Sequence, residues 1–96
     1  MKEWLPMIVK FEVEESQIQF LKSELIKLLV PTRAEQGCLR YDLHQDLDFP
    51  HIFMFYEVWE TKALWKAHDS KQHVLDLKKA LEGINVKITF HQLKLI

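Results

Sequence analysis

The chain begins with strict alternation. Met7, Val9, Phe11 and Val13 stand two apart, with Ile8, Lys10, Glu12 and Glu14 between and after them, the period of a strand buried on one face. The period then lengthens. Ile18, Leu21, Leu25 and Leu28 recur at helical spacing behind Ser16, and Phe20, Ile26 and Leu29 widen the stripe, which predicts an amphipathic helix with Ser16 as its N-cap. Pro31 ends this helix or starts a short second one through Glu35 and Gln36, after which Gly37 serves as C-cap or turn residue. Leu39, Tyr41 and Leu43 alternate with Cys38, Arg40, Asp42 and His44 as a second strand. Asp46 to His51 has the composition of a hairpin connection, and Ile52 to Trp59 is a strongly β-favouring third strand. Thr61 is placed to cap a helix through Trp65 and His68, with a break near Asp69 and Ser70. Val74, Leu77 and Leu81 share one face of a further helical stretch that Gly83 closes. Val86, Ile88 and Phe90 alternate with Lys87, Thr89 and His91 and lead into Leu93, Leu95 and Ile96 as strand four.

The order β-α-β-β-α-β predicts an α+β, ferredoxin-like subunit: an antiparallel sheet with helices on one face. Residues 7–96 form a single domain behind an N-terminal extension, residues 1–6. Strand three is apolar on both sides, with Met54, Tyr56 and Val58 facing one way and Phe53, Phe55 and Trp59 the other. Helices on one side leave the second face uncovered, and the matching sheet of another subunit is its simplest cover. A 96-residue chain buries a modest share of its unfolded surface. Both arguments predict a homodimer packed sheet on sheet.

Composition narrows the function classes. Thirteen Lys+Arg against fourteen Asp+Glu, with no block of like charge, removes the electrostatic footprint of nucleic-acid and anionic-membrane partners. The longest apolar run, Ile52 to Tyr56, is far below the roughly 20 residues that span a bilayer. Residues 1–6 lack the apolar core of a secretory signal, and the single cysteine, Cys38, excludes an internal disulfide and a thiolate zinc site within one chain. A cytoplasmic protein is expected. With only Gly37 and Gly83, neither G-x-G-x-x-G nor G-x-x-x-x-G-K-[ST] can be written, so a nicotinamide, flavin or nucleoside triphosphate held in the usual way is excluded.

Glu57 is the single charge within the run Ile52 to Trp59. A buried carboxylate is costly unless paired or hydrogen-bonded; it is either one half of a structural ion pair with Lys10, Arg40 or Lys87, or a functional acid–base group. His68 shares a helix face with Leu64, and His73 with Leu77, so both rings are placed inward. Each is a core histidine or, with Glu57, part of a His–carboxylate pair. Metal ligation is disfavoured because ligands on one helix want i,i+4 spacing and these are five apart. Phe11, Tyr41, Phe55, Trp59 and Trp65 are core or the lining of a pocket for a flat aromatic. Cys38 is read as structural.

Three motifs together carry a family resemblance: Glu35-Gln36-Gly37-Cys38-Leu39-Arg40-Tyr41-Asp42, then Phe55-Tyr56-Glu57-Val58-Trp59-Glu60, then Ala67-His68 with His73. Over about Met7 to Leu95 the chain resembles the antibiotic biosynthesis monooxygenases, in particular their small quinol monooxygenase branch. The resemblance implies a homodimeric α+β barrel with a pocket between sheet and helices in each subunit. It further implies oxidation of a quinol or related aromatic by O2 as co-substrate, with no metal, flavin or nicotinamide. Glu57, Trp59, His68 and His73 fall on its motif positions. In that chemistry His68, oriented by Glu57, is the base that makes the electron-rich quinol anion, and His73, Tyr41 or Arg40 stabilises the oxyanion.

Two other readings stand beside it. A related group isomerises a phosphorylated signalling sugar with acid–base residues in the same pocket, but Arg40, Lys10 and Lys87 are the only cations on the strands, fewer than a phosphate site wants. A non-catalytic dimeric module binding a hydrophobic small molecule is the second. The heme-degrading branch fits poorly, because strand one carries no asparagine and Lys78 stands near the expected axial histidine.

Overall fold

The structure is a computed structural model that describes residues 4–96. Its elements are β1 (Leu5–Val13), α1 (Ile18–Ile26), α2 (Leu29–Arg33), β2 (Cys38–Gln45), β3 (Ile52–Trp59), α3 (Lys62–His68), α4 (Gln72–Leu81) and β4 (Val86–Gln92). The four strands form one sheet in the order β2-β3-β1-β4, and every neighbouring pair is antiparallel. This is the ferredoxin-like α+β fold that the alternating periods predict. Strand one starts two residues earlier than its alternation suggests: Leu5 pairs with Trp59 and Pro6 with Val58. The first three residues of the expected extension lie outside the described residues.

Alternation places the core. Met7, Val9, Phe11 and Val13 of β1 are buried, and β3 buries Phe53, Phe55, Glu57 and Trp59 on the same inner face. Burial of Phe53 or Phe55 alone contributes about 1.5–3 kcal/mol. From the helices, Leu21, Leu25, Leu77 and Leu81 complete this core. Phe20 and Ile26, expected to widen the α1 stripe, are exposed. No helix among the described residues is long and apolar enough to cross a membrane.

Local chemistry sets the element ends. Ser16 lies within a 3-10 turn, Glu15–Gln17, and makes no capping bond to α1. Thr61 does cap α3, its Oγ1 accepting from the Leu64 N–H at 3.1 Å. Asp46 Oδ1 accepts from the backbone N–H of Asp48 and Phe49 and closes the turn before β3. A bulge between Cys38 and Arg40 interrupts the alternation of β2. Leu39 is thereby extruded to 46% exposure while Cys38 stands opposite Trp59. Strand four ends at Gln92, and the apolar Leu95 and Ile96 beyond it are exposed.

Gly37 joins α2 to β2 with φ +84°, a conformation that L side chains rarely adopt. A Cβ there would also meet the Cβ of Leu64 at 2.8 Å. Gly37→Ala is therefore expected to destabilise the protein by about 1–3 kcal/mol, measured as the shift in urea midpoint at constant m-value.

Candidate active site

Period-two alternation aims Glu57 and Trp59 at the same inner face of β3. Glu57 is 3% exposed, and its Oε1 accepts the Trp59 Nε1–H at 2.8 Å. None of the expected cationic partners reaches it. Lys10 pairs with Glu12 at 3.7 Å, Arg40 pairs with Asp42, and Lys87 stands opposite Glu12 across the β1–β4 ladder. Burial pushes the Glu57 carboxyl up to about 7; the Trp59 hydrogen bond opposes this and the nearby Glu35 charge adds to it. Among the described residues Glu57 thus has no ion-pair partner, and it is not the group that orients His68.

The orienting carboxylate is Glu35. Its Oε2 lies 2.6 Å from His68 Nδ1 and 2.8 Å from His73 Nε2. A carboxylate only accepts, so His68 donates from Nδ1 and His73 from Nε2. The Nδ1–H tautomer leaves the His68 Nε2 lone pair unprotonated. Desolvation lowers the pKa of His68 below 6.5, against the opposing hydrogen bond and charge of Glu35. The ring is therefore neutral at neutral pH, the state that a general base requires.

The pairing depends on two local features. After α2 ends, the chain turns through Gly37, and Glu35 sits just before that turn with its side chain 6% exposed. His68 is the last residue of α3, and the helix breaks before α4 starts at Gln72. His68 and His73 are thus on different helices with ring centroids 5.9 Å apart, and the i,i+4 rule for a single helix does not apply to them. Glu35, missed as a site residue, is separated from the histidines by 33 and 38 positions. Its local signals are its place at the head of the Glu35–Asp42 motif and an acid just past the C-terminal end of a helix, where the macrodipole disfavours negative charge.

A cavity of about 260 Å³ opens between the inner sheet face and the helices. Phe11, Tyr41, Phe55, Glu57, Trp65 and His68 all line it. Tyr41 stacks on Phe55 with centroids 4.4 Å apart and meets the His68 ring edge-on at 5.9 Å. The Tyr41 hydroxyl is held protonated by burial and by the Glu57 charge. Trp59 stands behind the wall, fully buried, with its ring 5.0 Å from His68. His73 is behind His68, held on Glu35. Arg40 lies outside the cavity: it is exposed, bonded to Asp42, and stacked over Tyr56 at 5.4 Å on the opposite face of the sheet. It is therefore not placed to contact an oxyanion there. Burial pushes the Cys38 thiol up to about 11, so it stays protonated and unreactive.

The sequence profile of the antibiotic biosynthesis monooxygenases matches residues 6–80. The chain belongs to this family. The crystal structure of PA3566 from Pseudomonas aeruginosa is 35% identical, with TM-score 0.90, over 100% of this chain and 97% of that one. Rv0793 of Mycobacterium tuberculosis, named as a candidate monooxygenase, is 28% identical over 72 residues, 75% of this chain and 70% of that protein. Its crystal structure superimposes with TM-score 0.80 over 92% of each chain. YjcS of Bacillus subtilis is 25% identical over 67 residues, 70% of this chain, and the match spans only 64% of its length.

The Glu57 pKa has a thermodynamic consequence. Raised from 4.5 to about 7 in the fold, it makes the native state hold a proton that the unfolded chain has released between those values. Stability contributed by this group is present below about pH 4.5 and falls as pH rises through 7, by about 3 kcal/mol in total. Glu57→Gln keeps an acceptor for Trp59 and does not titrate. Urea unfolding at pH 5 and pH 8 is expected to show the variant gaining about 2.5 kcal/mol relative to wild type between the lower and the higher pH.

Proposed function

We propose that this protein is a cofactor-independent monooxygenase that oxidises a quinol or related electron-rich aromatic with O2. The observation that carries the reading is the Glu35–His68 pair: a buried imidazole with Nδ1–H engaged, set into the wall of an aromatic-lined cavity. Family membership supports monooxygenase-like chemistry at the coarser level, and the quinol is what this cavity suits. Its volume of about 260 Å³ lies just under the usual range of about 300–1,000 Å³ for ligand sites. That size favours a compact, one- or two-ring substrate.

The chemistry asks little of the protein. Triplet dioxygen reacts slowly with closed-shell molecules, but a quinol anion is electron-rich enough to pass it one electron. His68 Nε2 removes the phenolic proton, and Glu35 stabilises the resulting imidazolium through Nδ1–H. Recombination of the radical pair puts one oxygen atom on the ring and releases the other as water. The quinol's own two hydrogens balance the reaction as it becomes the hydroxyquinone. The protonated Tyr41 hydroxyl and a protonated Glu57 are the donors available in the wall for the developing oxyanion. Apolar walls limit water access to the radical pair.

A phosphorylated sugar suits this cavity less well. Among the described residues that line it, Lys78 is the only Lys or Arg, and Glu57, Asp69 and Glu82 share the wall. Lys78 is itself paired with Asp69 at 3.0 Å. The proposal includes a homodimer, because Ile8, Met54, Tyr56 and Val58 leave a half-buried, largely apolar stripe on the sheet face away from the helices.

With chemically reduced naphthoquinol and metal-stripped protein, saturable oxygen uptake above autoxidation is expected. His68→Ala should lower it about 100-fold or more, and uptake at the wild-type rate in that variant sinks the assignment of the base. With Glu57 titrating at about 7 and the His68 pKa below 6.5, kcat/KM should rise as pH falls through 7 and decline again below 6.5. Light scattering on a sizing column should give twice the 11.5 kDa chain mass, with Val58→Lys shifting the population toward monomer.

A further inference from the structure

We propose that Glu35, His68 and His73 form a binding site for a divalent transition-metal ion, and that occupancy of this site withdraws the base from the cavity. The donor atoms of the three side chains lie within 4.8 Å of one another, and both ring nitrogens already converge on a single carboxylate oxygen at 2.6 and 2.8 Å. These side chains are 6%, 10% and 20% exposed, which distinguishes the cluster from a hydrated surface group. They come from three separate places in the fold: the turn before Gly37, the end of α3 and the first turn of α4. An ion there would tie the three together.

The donor set selects the ion. Two imidazoles and one carboxylate without thiolate suit zinc or another first-row divalent ion. Magnesium and calcium prefer shells of oxygen and are disfavoured. An ion replaces the two N–H bonds to Glu35, so it needs lone pairs on His68 Nδ1 and His73 Nε2. The neutral His68 ring then carries its proton on Nε2. His68 Nε2 thereby changes from acceptor to donor toward the cavity and can no longer take a proton from a quinol. Metal binding and base catalysis use opposite tautomers of one ring and exclude each other.

This second half rests on the reading of His68 as the base, whereas the binding half does not. Tag-free, chelator-treated protein is titrated calorimetrically with zinc chloride, alongside Glu35→Gln and His73→Ala, with magnesium as control. Expected are one zinc ion per chain, no magnesium uptake, and at least about 10-fold weaker zinc binding in either variant, the lower bound for losing even an outer-shell partner. No stoichiometric uptake, or uptake unchanged in both variants, overturns the site. Should Glu35→Gln lose its circular dichroism, His73→Ala decides, since that ring is the most exposed of the three. Histidine 15N–1H correlation spectra should show the His68 proton moving from Nδ1 to Nε2 as zinc is added; zinc bound without that change overturns the withdrawal of the base. Quinol oxidation by zinc-free protein is read separately, so its absence counts against the oxygenase and not against the metal site.

Discussion

Two imidazole N–H groups directed at one carboxylate oxygen is the interaction on which the site depends. Glu35 Oε2 accepts from His68 on α3 and from His73 on α4, and so joins the turn before β2 to the two helices that roof the cavity. An acceptor-only group leaves each ring a single neutral tautomer compatible with the bond. For His68 that tautomer presents Nε2 without a proton. A hydrogen-bonded carboxylate in low dielectric holds that choice strongly.

The second constraint is the unequal treatment of the two carboxylates. Among the described residues, Glu35 has two N–H donors from side chains, whereas Glu57 has one, from Trp59. Burial outweighs that single bond and raises Glu57 to about 7. Near neutral pH the wall therefore combines a neutral base with a carboxyl on the edge of ionisation. Environments that separate titratable groups in this way are a common means of running proton transfer near pH 7. The rigid inner face of the sheet carries Glu57 and Tyr41, and the helices carry His68 and Trp65, so the groups meet across a packed interior and not on a mobile loop.

The fold was legible because its signal is local and repeated. Period two over β1 and β3, Thr61 before α3 and Gly37 after α2 each act within a few residues. Where expectation and structure differ, a competing local effect is visible. A bulge puts Cys38 inward and Leu39 outward, and a 3-10 turn takes Ser16 away from its capping position. Glu57 stood out as one charge in an apolar strand, and both histidines as polar residues on apolar helix faces. Their partners were not legible. The expectation that Glu57 orients His68 assumed that the two most conspicuous groups would meet, whereas Glu57 bonds a residue on its own strand.

The order of elements, the inward faces of β1 and β3 and the isolation of Glu57 follow from the amino-acid sequence alone, because side-chain direction follows from backbone period and burial from polarity. Which groups touch is settled by how the elements pack on one another. Glu35 reaches His68 and His73 across 33 and 38 positions, a separation that no spacing rule spans, through a positive-φ turn and a break between two helices. Arg40 left the site by the opposite logic: one position from Tyr41 in the chain, it falls on the other face of the sheet, since successive side chains on a strand point to opposite sides.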